Sequence, residues 1–231
     1  DLVFTYRVRQ YVQNKSADII MIQQIYADMV IKDGMSRTER ILKRTIDFIL
    51  SLIGLVILSP VFLLVYILLK KQNDGPVVFR QERIGYRGKP FFILKFRTMR
   101  TDSEENGTPQ LACKGDDRLT PVGKFLREHH LDELPQLLNV FMGEMSFVGP
   151  RPERQYFIDR IMEVNPDYEY IYLMRPGLTS MATIYNGYTD TMEKMLIRLQ
   201  MDLDYLKNRS LWLDAKIVFT TVRFIVYGKK F

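Results

Sequence analysis

A chain of 231 residues with 47% hydrophobic content is long enough for one ordinary domain with appendages, and too apolar to be disordered. Its 33 basic against 27 acidic residues leave a net +6, a surplus that suits an anionic partner: nucleic acid, an anionic lipid surface or a phosphorylated substrate. The lone cysteine, Cys113, excludes an internal disulfide and offers no metal-binding spacing, in keeping with a reducing compartment. The chain opens at Asp1 without a methionine, so a piece of a longer protein is expected.

Within residues 1–40, SADIIMIQQIYADMVIKDG carries Ile19, Ile22, Tyr26 and Met29 at helical spacing, with Gly34 as a C-cap. The pattern predicts an amphipathic helix suited to packing or oligomer contact, a homodimer included, rather than to chemistry. Next comes FILSLIGLVILSPVFLLVYILL, Phe48 to Leu69, 22 residues without a charge, about the length that spans a bilayer. It lies inside the chain, lacks a small-residue cleavage site and runs too long for a signal peptide. A buried core helix is the plainer reading, but soluble helices are seldom apolar on every face for this length. Ser59-Pro60 falls mid-run, where proline removes a backbone hydrogen bond and kinks the helix, and the serine hydroxyl can satisfy a freed group. Arg40, Lys43 and Arg44 precede the run and Lys70 and Lys71 follow it, whereas a true span shows charge asymmetry. These features predict a helix-break-helix hairpin that enters one leaflet and returns, with both ends cytoplasmic.

GPVVFRQERIGYRGKPFFILKFRTM places β-favouring residues on either side of a turn marked by glycines and proline, and predicts a β-hairpin near the membrane surface. TDSEENGTPQ, Thr101 to Gln110, reads as an exposed loop. From about Thr120 helical patterns dominate, ending in SLWLDAKIVFTTVRFIVYGKKF, where Trp212, Phe219, Phe224 and Tyr227 mix with Lys216, Arg223, Lys229 and Lys230 as in an interfacial helix.

HHLDELPQLLNV, starting at His129, sets Asp132 and Glu133 side by side ahead of Pro135. Proline suits a first helical turn, so a helix is expected to begin near Asp132, with Leu134, Leu138 and Phe141 as its apolar stripe. Asp132 would then sit at the positive end of the helix dipole and be held ionised, the role of an ordinary N-cap. What points beyond a cap is the cationic company: Lys95 and Arg97 in LKFRTM, Arg127 upstream and Arg151 in VGPRPE. Together they suit an anion site beside a nucleophile. Other chemistries fit less well. Neighbouring carboxylates cannot easily flank a glycosidic bond, and His129, His130, Asp132 and Glu133 lack the further ligands of a zinc site. GYRGK is no phosphate-binding P-loop, and no nucleic-acid motif accompanies the basic balance.

From about Arg40 onward the chain resembles the monotopic phosphoglycosyl transferases, bacterial sugar transferases that load polyprenol phosphate. The resemblance covers roughly four-fifths of the chain. It rests on KRTIDFILS with the later Ser59-Pro60, on VVFRQERIGYRGKPFFILKFRTM, on LTPVGKFLREHHLDELPQLLNV, on MSFVGPRPE and on RPGLTS. It implies transfer of a phosphosugar from a UDP-sugar to polyprenol (undecaprenyl) phosphate with release of UMP. By that resemblance Asp132 attacks the sugar-linked phosphate to give an aspartyl-phosphosugar, and Glu133, with Asp132, holds Mg²⁺ or orients the pair. Lys95, Arg127 and Arg151 match cationic phosphate-site positions, and Arg97, Pro150 and Arg175 belong to the same substrate-binding motifs. Asp47 matches an acidic position read as structural. The chain departs from the family at Ser180-Met181, where Gly-Trp is common, and at Thr183, where glutamine is common.

The fold expected is α+β, mainly α: a monotopic membrane protein with a re-entrant helix-break-helix hairpin, a small β-hairpin and interfacial amphipathic helices. Residues 1–40 would be a helical extension or linker, 41–71 the membrane hairpin, and 72–231 a catalytic domain on the cytoplasmic face of the bacterial inner membrane. The partners implied are a UDP-sugar, polyprenol phosphate and the bilayer, not nucleic acid. A non-catalytic membrane adaptor that binds anionic lipid or a partner protein is the competing reading, and it has no need of a nucleophile beside a phosphate site.

Overall fold

A computed structural model describes residues 31–72, 75–100, 117–187 and 189–227. The helix expected around Ile19 to Met29 and the loop at 101–110 lie outside the described residues. The elements below all belong to one unit, which begins at Asp33.

Helix α1, Arg37–Ile57, starts in a capping box: the Ser36 hydroxyl accepts from the Glu39 N–H while the Glu39 carboxylate reaches back to the Ser36 N–H. It stops at Leu58, and α2, Ser59–Lys71, begins with proline in its first turn, its axis turned by 59°. The Ser59 hydroxyl donates to the Val56 carbonyl at 2.8 Å, the satisfaction expected of it at a proline break. No single described helix is long and apolar enough to cross a membrane; the bent pair meets that requirement together, by length and composition. The pair is two-faced. Val65 and Leu69 of α2 are buried with Val77, Phe96 and Leu126, while Leu63, Leu64, Ile67 and Leu68, and on α1 Ile49, Ile53, Val56 and Ile57, are exposed.

Strands β1, Val78–Ile84, and β2, Pro90–Phe96, form the expected antiparallel hairpin, in register from Val78 opposite Phe96 to Ile84 opposite Pro90. A 3₁₀ turn, Tyr86–Gly88, closes it with Arg87 and Gly88 at positive φ (60° and 68°). The later elements are α3 (Pro121–Glu128), a 3₁₀ turn (Leu131–Glu133), α4 (Gln136–Met142) and β3 (Ser146–Val148). They are followed by α5 (Gln155–Val164), a longer 3₁₀ segment (Pro166–Leu173) and β4 (Gly177–Thr179). Last come α6 (Met181–Tyr185), α7 (Met192–Asn208) and α8 (Leu211–Val226).

The helical tract expected from Thr120 is interrupted by β3 and β4, which pair in parallel through Ser146–Gly177 and Val148–Thr179. Three-residue strands leave no periodicity to read. Their signal is two glycines: a Cβ at Gly177 would lie 2.1 Å from the Gly149 nitrogen, and one at Gly149 would lie 2.3 Å from the Arg175 carbonyl. Gly34, expected as a helix C-cap, has a similar reason, since a Cβ there would lie 2.5 Å from the Lys207 carbonyl. Asp47 is buried and accepts from the Phe147 N–H, tying α1 to β3 as a structural residue would. Lys43 and Arg44 are not free flanking charges. Lys43 pairs with Asp214 at 2.5 Å, and Arg44 donates to the Val140 and Phe141 carbonyls at the end of α4.

Candidate active site

Strand β2 and α4 are locked together by one side chain. Asn139 accepts from the Leu94 N–H (3.1 Å) and donates to the Phe92 carbonyl (2.8 Å) and Glu144 (2.7 Å). Every polar atom of this fully buried amide is thereby used, and the turn preceding α4 is brought against Lys95 of β2. From that turn Glu133 Oε1 accepts from Lys95 Nζ at 2.7 Å and from Arg151 Nη2 at 3.2 Å. Burial by itself would raise the Glu133 pKa, but the charges and hydrogen bonds of Lys95 and Arg151 outweigh it and hold the carboxyl far below its ordinary range.

Asp132 differs in kind. It is 6% exposed, and burial, then the adjacent Glu133 charge, push its pKa up against the pull of Lys95, Arg127 and His130. The expectation of a dipole-stabilised N-cap is therefore corrected: this carboxyl is harder to ionise than an ordinary aspartate, not easier. Asp132 belongs to a 3₁₀ turn, α4 starts only at Gln136 with Pro135 in the N-cap position, and no side chain caps it. The apolar stripe is corrected in part: Leu134 packs against the core and Phe141 stacks on Phe48 with centroids 4.8 Å apart, but Leu138 is exposed, and Leu137 and Val140 are the buried pair. His130 supplies the sharp entry into this turn, with φ of 55°, a left-handed conformation that histidine tolerates better than most residues. His129 packs on the Phe125 ring at 4.3 Å.

Arg127 is close enough for its charge to act on Asp132 because α3 docks closely. The Thr98 carbonyl accepts from the Thr120 N–H at 3.0 Å, the Thr98 hydroxyl accepts from Arg127 Nε at 3.2 Å, and Gly123 lies so near that a Cβ would fall 1.9 Å from the Thr98 carbonyl oxygen.

Thus Lys95, Arg127, Arg151, Asp132 and Glu133 are brought together. Arg97 is not among them: it is buried beneath the hairpin, donating to the Pro76 and Leu69 carbonyls and so closing the end of α2. Arg175 donates to the Gly143 carbonyl at 2.9 Å and lies over the Tyr86 ring. With Arg44 it complements the negative end of α4. Pro150 contributes backbone, its carbonyl accepting from the Gly177 N–H at 2.9 Å. Sequence reasoning missed Asn139 and Glu153. The glycine four residues after Asn139 marks a helix C-cap, but nothing in a linear pattern points to a side chain bridging helix and strand.

Among the described residues no three His, Cys, Asp or Glu side chains come together to cage a metal. Asp132 and Glu133 are neighbouring hard oxygen donors. That set fits a cation such as Mg²⁺, which takes one or two carboxylates and completes its shell with phosphate oxygens and water.

A sequence profile described as bacterial sugar transferase matches residues 38–228. The chain belongs to the bacterial sugar transferase family. Family relatives include the UDP-N-acetylgalactosamine-undecaprenyl-phosphate N-acetylgalactosaminephosphotransferase of Aeromonas hydrophila, 42% identical over 81% of this chain and 44% of that protein. The UDP-glucose:undecaprenyl-phosphate glucose-1-phosphate transferase of Escherichia coli K12 is 42% identical over 81% of this chain and 41% of its own. The Caulobacter vibrioides protein of the same description is 43% identical over 78% and 68%. This chain therefore spans less than half the length of the first two relatives. All five acid and basic residues of the cluster fall within the region that the family profile covers.

Proposed function

We propose that this chain transfers a phosphosugar from a UDP-sugar to polyprenol phosphate, yielding polyprenyl-diphosphate-sugar and UMP as the first step of surface glycan assembly. The observation that carries this reading is the buried Asp132 beside a Glu133 that two cations hold ionised, in a family whose relatives bear that activity. A carboxylate kept from water and made more basic is a stronger nucleophile once ionised. Its attack on a phosphoryl group needs surrounding positive charge to offset repulsion.

In the first step an ionised Asp132 oxygen bonds to the sugar-linked phosphorus. The bond from that phosphorus to the bridging oxygen breaks, and UMP leaves with the electron pair. In the second step an oxygen of polyprenol phosphate bonds to the same phosphorus and the aspartyl oxygen departs as carboxylate. Lys95, Arg127 and Arg151 offset the phosphate charge, and arginine suits bidentate phosphate contact. Glu133 keeps the two nearest cations in place and, with Asp132, would hold Mg²⁺, which supplies further neutralisation of phosphate oxygens when bound. The bent α1–α2 pair is read as a re-entrant anchor. Its exposed apolar residues would enter one leaflet, and its inner face packs on Leu131 and Leu134, which bracket the acidic pair. A soluble nucleotide sugar and a lipid head group would then meet at Asp132 on the cytoplasmic side.

The test is UMP release with polyprenol phosphate across a panel of UDP-sugars, on the full chain in lipid. Asp132→Asn is expected to abolish release, a chelator to suppress it, and labelled UDP-sugar to leave a sugar phosphate on Asp132. A fully active Asp132→Asn protein sinks the mechanism.

A further inference from the structure

Behind the acidic pair lies a second set of charges that the mechanism does not use. Glu153 Oε2 pairs with Arg83 Nη1 of β1 at 3.4 Å, and its Oε1 accepts from Arg198 Nη1 of α7. Arg83 Nη1 also donates to the Pro152 carbonyl at 3.2 Å, and the Ile84 N–H donates to the Glu153 carbonyl at 3.1 Å. These side chains are largely enclosed, with Glu153 and Arg198 at 12% exposure and Arg83 at 19%. Ile161, Ile171, Met195 and Leu199 line the small adjoining cavity, so little water screens the charges. The three ion-paired residues come from three distant parts of the chain and meet two residues beyond Arg151.

That spacing matters because Arg151 lies between Pro150 and Pro152. Proline fixes its own φ and restricts the residue before it, so the backbone either side of Arg151 transmits position rather than absorbing it. On one side the Pro150 carbonyl is held by the Gly177 N–H. On the other, Glu153 is the fixed point. Cut that point loose and Arg151 keeps the backbone support at Pro150 and its contact with Glu133, made by a side chain that is 38% exposed.

We infer that Glu153, gripped by Arg83 and Arg198, is a positioning residue that fixes Arg151 on Glu133 and so maintains the charge arrangement around Asp132 from outside the reacting centre. The inference rests on the proposed transfer reaction for its catalytic consequence and on the hydrogen-bond geometry alone for its mechanical one. Arg198→Met alone leaves the Glu153 carboxylate with Arg83 at 3.4 Å as its remaining ion-pair partner, and a weakened buried ion pair can cost the fold itself. The double variant Glu153→Gln with Arg198→Met removes the Glu153–Arg198 ion pair at similar volume and leaves Arg83 the Pro152 carbonyl and the amide oxygen at position 153 as acceptors, so it tests positioning without a stranded carboxylate.

Two measurements decide the matter. In hydrogen exchange on the intact protein, the Ile84 amide should lose protection in the double variant while the Asn139-locked Leu94 amide keeps it. Unchanged Ile84 exchange overturns the inference whether or not the protein releases UMP. In the UMP-release assay the double variant should lower kcat/KM for the UDP-sugar by about 10- to 100-fold. It should cost almost nothing further in an Arg151→Ala background, because the clamp acts through Arg151. Equal losses in both backgrounds mark a merely structural role and overturn it. A wild-type protein that releases no UMP with any UDP-sugar counts against the transfer reaction instead, and the exchange result still judges the clamp.

Discussion

Asp132 and Glu133 share a turn and a charge type but not an environment. Glu133 points to Lys95 and Arg151, while Asp132 is enclosed and feels Glu133 as a repulsive neighbour. Removing that repulsion with Glu133→Gln should let Asp132 ionise at lower pH. The acid limb of the residual pH–rate profile for UMP release is expected to move toward lower pH, and a shift the other way contradicts the assignment. Asp202 on α7 gives a stability counterpart. It is 4% exposed, its Oδ1 lacks a hydrogen-bond partner among the described residues, and burial, with Glu153 adding to it against the pull of Arg198, raises its pKa to about 7. The folded state thus binds a proton that the unfolded chain has released. The resulting stabilisation is complete below the ordinary carboxylate range and disappears as pH rises through about 7. Thermal unfolding should fall by several degrees between about pH 5 and about pH 8.5. In Asp202→Asn that dependence should flatten; an unaltered slope excludes Asp202 as its source. Glu153 and Asn139 lie inside the family motifs and Asp202 outside them, but no linear pattern tells the role of any of the three, because each matters through what another element brings to it.

At the scale of elements, short segments are placed by close backbone approach. Helix α3 has only eight residues, yet it brings the Arg127 charge to bear on Asp132 because Gly123 admits the Thr98 carbonyl. Gly123→Ala must push α3 away, at a cost of about 2–3 kcal/mol by the measure of overpacked interiors. Both the unfolding midpoint in denaturant and UMP release should fall, and a wild-type midpoint would show that α3 has slack the geometry denies. Ser180 and Thr183, where the chain departs from its family resemblance, have a local use: the Ser180 hydroxyl accepts the Thr183 N–H at 3.0 Å and caps α6. The bend between α1 and α2 was legible because proline acts on its own backbone. The start of α4 was misjudged because a 3₁₀ turn and a helical N-terminus use the same residues, and only packing distinguishes them.

At the scale of the whole molecule, the exposed apolar surface of the described residues gathers on the bent helix pair and on α8 with its C-cap, where Trp212, Phe219 and Tyr227 are 81%, 70% and 74% exposed. Surfaces of this kind mark contact with lipid or another protein. The re-entrant reading predicts that cysteines at the exposed Arg37 and Lys71, introduced after replacing Cys113, react with an impermeant reagent from the same side of the membrane; labelling from opposite sides rejects it. The sequence by itself determined the apolar run, its break at Ser59-Pro60, the hairpin and the family motifs that single out Asp132, Glu133, Lys95, Arg127 and Arg151. Those features depend on composition and on neighbours within a few residues. Only the tertiary structure decided which cations face the acids and which, like Arg97 and Arg175, close helix ends. It alone gave Asp132 and Glu133 opposite pKa shifts and brought Arg83 and Arg198 onto Glu153. Burial, charge proximity and hydrogen-bond partners are set by elements far apart in the chain, and local pattern carries no record of them.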